Sequence, residues 1–338
     1  MRQVWIARAG PPDTLEVREA ADPVPRVGEV RIRVEASGVN FADILGRMGL
    51  YKGGPPIPYV PGYEVAGVID AIGQGVPDLR EGDKVFAATR FGGYTDVACV
   101  PHLQVFKRLD WMTVEDAAAL PVNYLTAYIA LLVMGSLRPG DRVLIHSAAG
   151  GVGLAAVDIC RIVGAEAIGT ASPHKHSFLL ERGLKHVIDY RNEDYERAVM
   201  DLTAGKGVNL VLEAMGGIHW VKNYRLLMPT GRLVHFGISS AAPGKTRSLL
   251  AVARMLVQLP FYHPIKLMND NRAVMGVNLN NLWEQMDMMR DWMRQIVAWY
   301  DEALFRPHIH RTFRFSKAAE AHHIIQDRKN IGKVLLIP

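Results

Sequence analysis

The sequence predicts an α/β protein in which a β-rich segment precedes a doubly wound parallel sheet, and three observations predict it. From Asp141 onward the chain repeats a short apolar run followed by helical periodicity, the pattern of parallel strands joined by crossover helices. The first hundred or so residues instead carry short alternating runs broken by Gly and Asp turns, an all-β texture. Between the two textures, the run Arg142 to His146 enters a Gly-rich turn, Ser147-Ala-Ala-Gly-Gly-Val-Gly153, that opens onto helical periodicity.

At 338 residues the chain exceeds the size at which one core keeps growing, so two domains are expected. Strands are predicted over 29–35, 65–72 (with Gly67 inside) and 84–88, the last after the turn Glu81-Gly82-Asp83. Residues 117–137 carry no charge over about the length a helix needs to span a bilayer. Pro121, Asn123, Tyr124 and Thr126 interrupt them and no Lys/Arg-flanked second span follows, so a buried helix between two domains is expected, not a membrane span. The five strands of the parallel sheet are placed at 142–146, 166–170, 186–189, 208–213 and 232–236, with a helix over 154–163 after the first.

Residues 243–270 are rich in Leu, Met and aromatics and are broken by Pro260 and Pro264. They read as a lid over a substrate pocket or, equally, as a helix packed into the core or a dimer seam. An amphipathic helix over 281–299, a link at Phe305-Arg-Pro-His308, a helix over 316–326 and a strand over 333–338 complete the chain, the tail rejoining the β-rich domain. The domains are therefore set at 1–123 with 271–338, and at 124–270; there is no internal repeat and no low-complexity run.

The net charge of +5 is small for this length and spread along the chain, which argues against nucleic-acid binding and is compatible with a phosphorylated cofactor or an anionic substrate such as an acyl-CoA. The N-terminus lacks the apolar core of a secretory signal, and there are two cysteines, Cys99 and Cys160. A reducing, cytoplasmic setting is expected, with both thiols as small core residues.

A dinucleotide pyrophosphate needs backbone amides at a helix N-terminus with no side chain in the way. Ala149, Gly150, Gly151 and Val152 supply that approach, with Gly153 for close packing and Ala148 standing where the commoner pattern has its first glycine. Enzymes that use NAD usually place an acid at the end of the second strand, roughly twenty residues on. Here the chain reads Thr170-Ala-Ser172-Pro-His-Lys175-His. A 2′-phosphate meets no repulsion there and can find Ser172, Lys175 and a histidine, so NADP(H) is favoured and NAD(H) allowed.

The runs Gly38-Val-Asn-Phe-Ala-Asp43, Pro61-Gly-Tyr-Glu-Val-Ala-Gly67, Gly82-Asp-Lys-Val85 and Gly92-Gly-Tyr94, with the Gly-rich turn, resemble the quinone oxidoreductase branch of the medium-chain dehydrogenase/reductase family over nearly the whole chain. Asn271-Arg-Ala-Val, Gly276-Val-Asn-Leu and the ending Lys329–Pro338 look most like the homologues of the synaptic-vesicle amine-transport membrane protein within that branch. The resemblance implies a GroES-like β-rich catalytic domain built from both chain ends around a Rossmann domain, and a homodimer joined along the Rossmann sheet edge. It also implies cofactor contacts from Thr126 beside the nicotinamide, from the strand ends at Gly216, Phe236, Gly237 and Ile238, from Tyr190 near the adenosine phosphate, and from Asn330 in the terminal run.

Metal-dependent relatives hold a catalytic zinc with Cys, His and Cys and carry a separate four-cysteine lobe. Here Asn40 stands at the first cysteine position, Tyr63 replaces the histidine of a Gly-His-Glu motif, and two cysteines cannot form the lobe. Neither His308 with His310 nor His322 with His323 has a Cys or carboxylate at metal-ligand spacing, and they read as surface or structural residues.

Without a metal to polarise an alcohol or a simple ketone, an activated double bond is the expected substrate, because conjugation already makes its β-carbon electrophilic. Asn40 is the candidate donor to the carbonyl oxygen. Tyr51, Tyr59 and Tyr63 are candidates to orient substrate or relay a proton, with Tyr51 preferred and solvent its rival. Asp43 and Glu64 read as structural acceptors of backbone N–H groups. An enoyl thioester, an enone or alkenal, and a quinone remain open as electrophiles, and from another class a weakly catalytic dinucleotide-binding protein associated with membranes or partners.

Overall fold

The computed structural model describes residues 1–338 except 243 and 245–247, and the side chain of 249 is likewise not described. The described residues divide into two compact units, one of residues 1–125, 244 and 279–338, the other of 126–242 and 248–278.

The first unit is built on an antiparallel sheet whose central strand, Glu29–Val39, pairs with Glu64–Ile72, Val97–Pro101 and the chain's last strand, Lys333–Ile337. Val30, Ile32 and Val34 face inward with Val65, Ile69, Val85, Val100 and Val105 to form one core, while Arg31, Arg33 and Glu35 alternate outward. The tail rejoins this unit as expected. It does so with a strand the sequence reading missed, Ile309–Arg314, parallel to Lys333–Ile337 and connected to it through the helix Ala318–Gln326. Arg2–Ile6 and Leu15–Glu19 form a small hairpin-like pair.

The second unit is a six-stranded parallel sheet in the order 186–189, 166–171, 142–145, 208–213, 227–235, 273–276. The order reverses between the central strands, which places the crevice for a ligand at their carboxyl ends. Leu144, Ile168, Val211 and Leu233 pack beneath it with Tyr195, Val199 and Leu226 from the crossover helices.

Two expectations change. Residues 273–276, assigned to the β-rich domain, are the edge strand of the parallel sheet, so the division falls at 278/279. The uncharged run 117–137 is not one helix: Val114–Ala119, capped by Thr113, stops before a second helix that Pro121 begins and that ends in a π-helical turn over Ile129–Met134. Among the described residues no helix is long and apolar enough to cross a membrane.

Of 243–270, residues 243 and 245–247 lie outside the described residues. The rest forms the helices Leu249–Val257 and Pro264–Asp270, with Leu250, Val257, Phe261, Ile265 and Met268 exposed rather than packed into a core.

Candidate active site

In the parallel-sheet unit, the strand Arg142–Ile145 passes through Ser147, held at φ 54°, into the helix Gly151–Val163. Gly150 begins that helix in extended conformation. A Cβ on Gly153 would lie 2.4 Å from the Ser147 carbonyl and 2.6 Å from that of Ala148, so only glycine lets the helix seat on the turn. The missing first glycine has a counterpart: a Cβ on Gly169, in the neighbouring strand, would fall 2.8 Å from the Ala148 methyl, which takes up the space Gly169 leaves. The first-turn amides of the helix lack intrahelical acceptors and face the crevice end of the sheet, as a pyrophosphate requires.

Thr170 is fully buried, its carbonyl accepting from Ala148 N–H at 3.1 Å and its hydroxyl turned to His146 Nδ1 at 3.0 Å. It holds the turn in place rather than presenting a hydroxyl outward. Ser172 and Lys175 are also buried, at 3% and 6% exposure. Tyr190 follows the third strand, whose last residue, Asp189, accepts from Arg191 N–H and Asn192 Nδ2 and is held below the usual carboxylate range by them, against its burial.

Gly216 and Gly217 take left-handed conformations, φ 83° and 64°, after the strand Val208–Glu213. A Cβ on Gly216 would come 3.2 Å from Ser240 Oγ, a buried hydroxyl with no hydrogen-bond partner among the described residues. Phe236 N–H donates to Glu213 O at 3.0 Å and Gly237 packs against Ala214, so 236–238 and 214–217 lie side by side. The two glycines and the orphaned hydroxyl beside them fit the polar end of a nicotinamide, and Thr126 is a buried residue of the same unit.

Sequence reasoning missed the polar chain under this crevice. Glu213, fully buried at its strand end, accepts from Met215 N–H and from Gly216 N–H at 2.7 Å through one oxygen, and from Asn223 Nδ2 through the other. Asn223 Oδ1 meets His146 Nε2 at 2.8 Å. Burial pushes the Glu213 carboxyl up to about 7 despite those donors, and pushes His146 down to about 3. A Glu ending an apolar strand just before Ala-Met-Gly-Gly was the available signal.

In the β-rich unit, Asn40 precedes the helix Phe41–Arg47 and Tyr63 precedes the strand Glu64–Ile72. Asp43 accepts from Asn40 N–H at 2.9 Å, Gly62 N–H at 2.8 Å and the Tyr94 hydroxyl at 3.1 Å, so it acts as the backbone acceptor expected of it. Burial nevertheless raises it to about 7. Tyr94 OH in turn lies 3.1 Å from Nε2 of His322, a fully buried histidine that burial holds neutral.

Glu64 does more than accept Val122 N–H at 2.8 Å. It is ion-paired with Lys333, and both are buried. Asn40 links the pair, its Nδ2 donating to Glu64 at 2.9 Å and its Oδ1 accepting from Lys333 Nζ at 2.7 Å. Gly38 makes the room: a Cβ there would sit 2.2 Å from Glu64 Oε1. The Asn40 amide is thus committed to the ion pair, which changes its expected part from open donor to buried link. Lys333, in a tail read only as a strand, was missed.

Tyr51 is half-buried and packs edge-on to Tyr63 at 6.2 Å, while Tyr59 and Tyr63 close on Phe91 at 5.8 and 5.3 Å. Burial raises all three phenols; the hydrogen bond from Tyr63 offsets part of the rise at Tyr51 and adds to the rise at Tyr63. Among these tyrosines, Tyr51 is therefore the one whose oxygen is supported when it gives up a proton. Asn330 lies in the same unit, its amide donating to Gly332 O at 2.8 Å. Among the described residues no group of three or more His, Cys, Asp or Glu is placed to hold a metal ion.

Comparison with known proteins identifies the family. Residues 26–110 match the alcohol dehydrogenase GroES-like domain, and residues 182–336 match a family described as zinc-binding dehydrogenase. The synaptic vesicle membrane protein VAT-1 homolog of Mus musculus is 42% identical over 96% of this chain and 80% of its own length. The quinone oxidoreductase of Homo sapiens is 30% identical over 100% of this chain and 98% of its own. Among solved structures, Escherichia coli quinone oxidoreductase complexed with NADPH superposes with a TM-score of 0.88 at 27% identity over the whole of both chains. CurK enoyl reductase gives 0.86 at 28% identity over 99% of this chain and 98% of its own. The chain belongs to the medium-chain dehydrogenase/reductase superfamily, within the quinone oxidoreductase branch that includes the VAT-1 homologues.

Proposed function

We propose that the protein is an NADPH-dependent oxidoreductase that reduces the activated carbon–carbon double bond of an α,β-unsaturated carbonyl without a metal. The observation that carries this reading is the pair Tyr51–Tyr63: burial raises both phenols, and the hydrogen bond Tyr51 accepts from Tyr63 offsets part of its rise, which makes Tyr51 the better proton donor of the two. The likeness to an enoyl reductase and to a quinone oxidoreductase that binds NADPH supports the reaction class.

The cofactor would lie along the second unit, its pyrophosphate on the amides of 149–152, its adenosine end by Thr170, Ser172, Lys175 and Tyr190, and its nicotinamide end by Thr126, Gly216, Ser240 and 236–238. When bound, the reduced nicotinamide would supply hydride to an electrophilic β-carbon. Tyr51 O–H then gives its proton to the α-carbon of the enolate, Tyr63 O–H stabilises the phenolate left on Tyr51, and solvent returns the proton. Asn40, Glu64 and Lys333 hold the start of the helix 41–47 in position, and Asn330 fixes the turn before the last strand.

The second strand ends without a carboxylate, which supports NADPH over NADH. The edge strand 273–276 and the exposed apolar side chains of 250–268 support a homodimer joined at that edge. The test is oxidation of NADPH and NADH against an enoyl-CoA, a simple enone and a quinone. Turnover of the enoyl-CoA or enone is expected; turnover of the quinone alone would replace ene reduction with quinone reduction. Tight NADPH binding with no turnover would favour a binding protein, as the membrane-protein relatives suggest.

A further inference from the structure

We propose that Glu213 is a positioning residue whose charge sets the direction of a buried hydrogen-bond relay, Glu213–Asn223–His146–Thr170, that ties the 215–217 turn to the end of the second strand. The relay stands on its own geometry; its consequence for the cofactor rests on the binding mode proposed above.

The directions follow from which groups can only accept. Ionised Glu213 accepts at both oxygens, Oε1 from Met215 and Gly216 N–H and Oε2 from Asn223 Nδ2. That orients Asn223 so that Oδ1 faces His146 and must accept from Nε2–H. With its single proton on Nε2, His146 accepts at Nδ1 from the Thr170 hydroxyl. Since Oε1 is taken by two amides, a proton added to Glu213 goes to Oε2, where it opposes the Asn223 N–H. The conflict is relieved only if Asn223 turns over, Oδ1 accepting from Glu213 and Nδ2 donating to His146 Nε2. His146 must then carry its proton on Nδ1 and donate to Thr170. One proton at the nicotinamide end thus reverses every bond as far as the adenosine end.

The groups facing Glu213 leave this change to the carboxyl itself. His146 and His235, from the strands on either side, are lowered to about 3 and about 4 by burial and stay neutral. Asn223 comes from the helix 218–226, whose His219 hydrogen-bonds Tyr195. Burial and the Glu213 charge raise the Tyr195 and Tyr262 phenols, which therefore stay protonated. With the carboxyl raised to about 7 by burial, the reversal falls between pH 8.5 and pH 5.5.

The test reads the tautomer of His146 by nitrogen-15 NMR on the full chain, its signals identified by their loss in His146→Gln. The proton is expected on Nε2 at pH 8.5 and on Nδ1 at pH 5.5, and on Nδ1 at both in Glu213→Gln, whose amide donates where Oε2 accepted. A tautomer unchanged with pH in the wild type overturns the relay, and that comparison stands even if the variant fails to fold. In parallel, the ratio of NADPH dissociation constants, Glu213→Gln over wild type, is expected to be about threefold or more at pH 8.5 and to approach one at pH 5.5; a ratio that does not change with pH overturns the link to the cofactor. Absence of NADPH binding at either pH, with the tautomer switch intact, overturns the cofactor reading and supports the relay.

Discussion

Each unit buries a glutamate at a strand end, and the two are held in opposite ways. Glu64, which opens a strand of the β-rich unit, has the Lys333 ammonium against it and Asn40 bridging the two. Glu213, which closes a strand of the parallel sheet, has amide donors only, with neutral histidines around it. A cation partner makes the charge part of the scaffold, and removing that partner strands an ion in the core. Neutral donors leave the charge dependent on burial, and so responsive to pH. The phenols proposed to give the proton sit in the unit with the fixed charge, and the crevice proposed for the cofactor in the unit with the responsive one.

The largest expected effect tests the fixed charge. Lys333→Met leaves Glu64 buried without its cation and is predicted to cost about 3–5 kcal/mol in urea unfolding. Adding Glu64→Gln should recover much of that loss; a single variant as stable as the wild type would mean the pair is not structural. For the responsive charge, the folded carboxyl of Glu213 binds its proton more tightly than the unfolded one, about 7 against the ordinary 4.5. Its stabilising contribution is therefore absent above pH 7 and grows as pH falls to 4.5. Relative to Glu213→Gln, wild-type stability should rise by about 3 kcal/mol over that window, and a flat difference would show that Glu213 does not titrate there.

Next in size is chemistry. Tyr51→Phe is expected to lower kcat about 100-fold with an unchanged KM for NADPH, whereas Tyr63→Phe, which acts through Tyr51, should cost about tenfold. Equal losses would remove the distinction between the two phenols. On the cofactor side, Gly153→Ala drives a Cβ to 2.4 Å from the Ser147 carbonyl and should weaken NADPH about tenfold, leaving the stability of the β-rich unit unchanged. The smallest effect is on cofactor choice: Lys175→Ala should shift the NADPH-to-NADH preference by about threefold, and an unchanged ratio would assign the 2′-phosphate to other residues.

What was legible in the sequence had local causes. The strands at 84–88, 186–189 and 208–213 are set by short apolar runs between turns, and the nucleotide turn by glycines that sterics demand. The strand Ile309–Arg314 was hidden because His308, His310 and two arginines interrupt its alternation. The edge strand 273–276 is only four residues long and partly exposed, so its burial signal is faint. The glutamate networks were invisible for a different reason. Lys333 and Glu64 lie at opposite ends of the chain, and His146, Asn223 and Glu213 on three separate elements, so their chemistry exists only once the fold assembles them.

The most direct test of the proposed chemistry follows the atoms. With NADPH carrying deuterium at the transferred position of C4 and an enone or enoyl-CoA as acceptor, in ordinary water, the saturated product should carry deuterium at the β-carbon and solvent hydrogen at the α-carbon. Deuterium at the carbonyl carbon of an alcohol product, or no transfer to carbon at all, would contradict ene reduction.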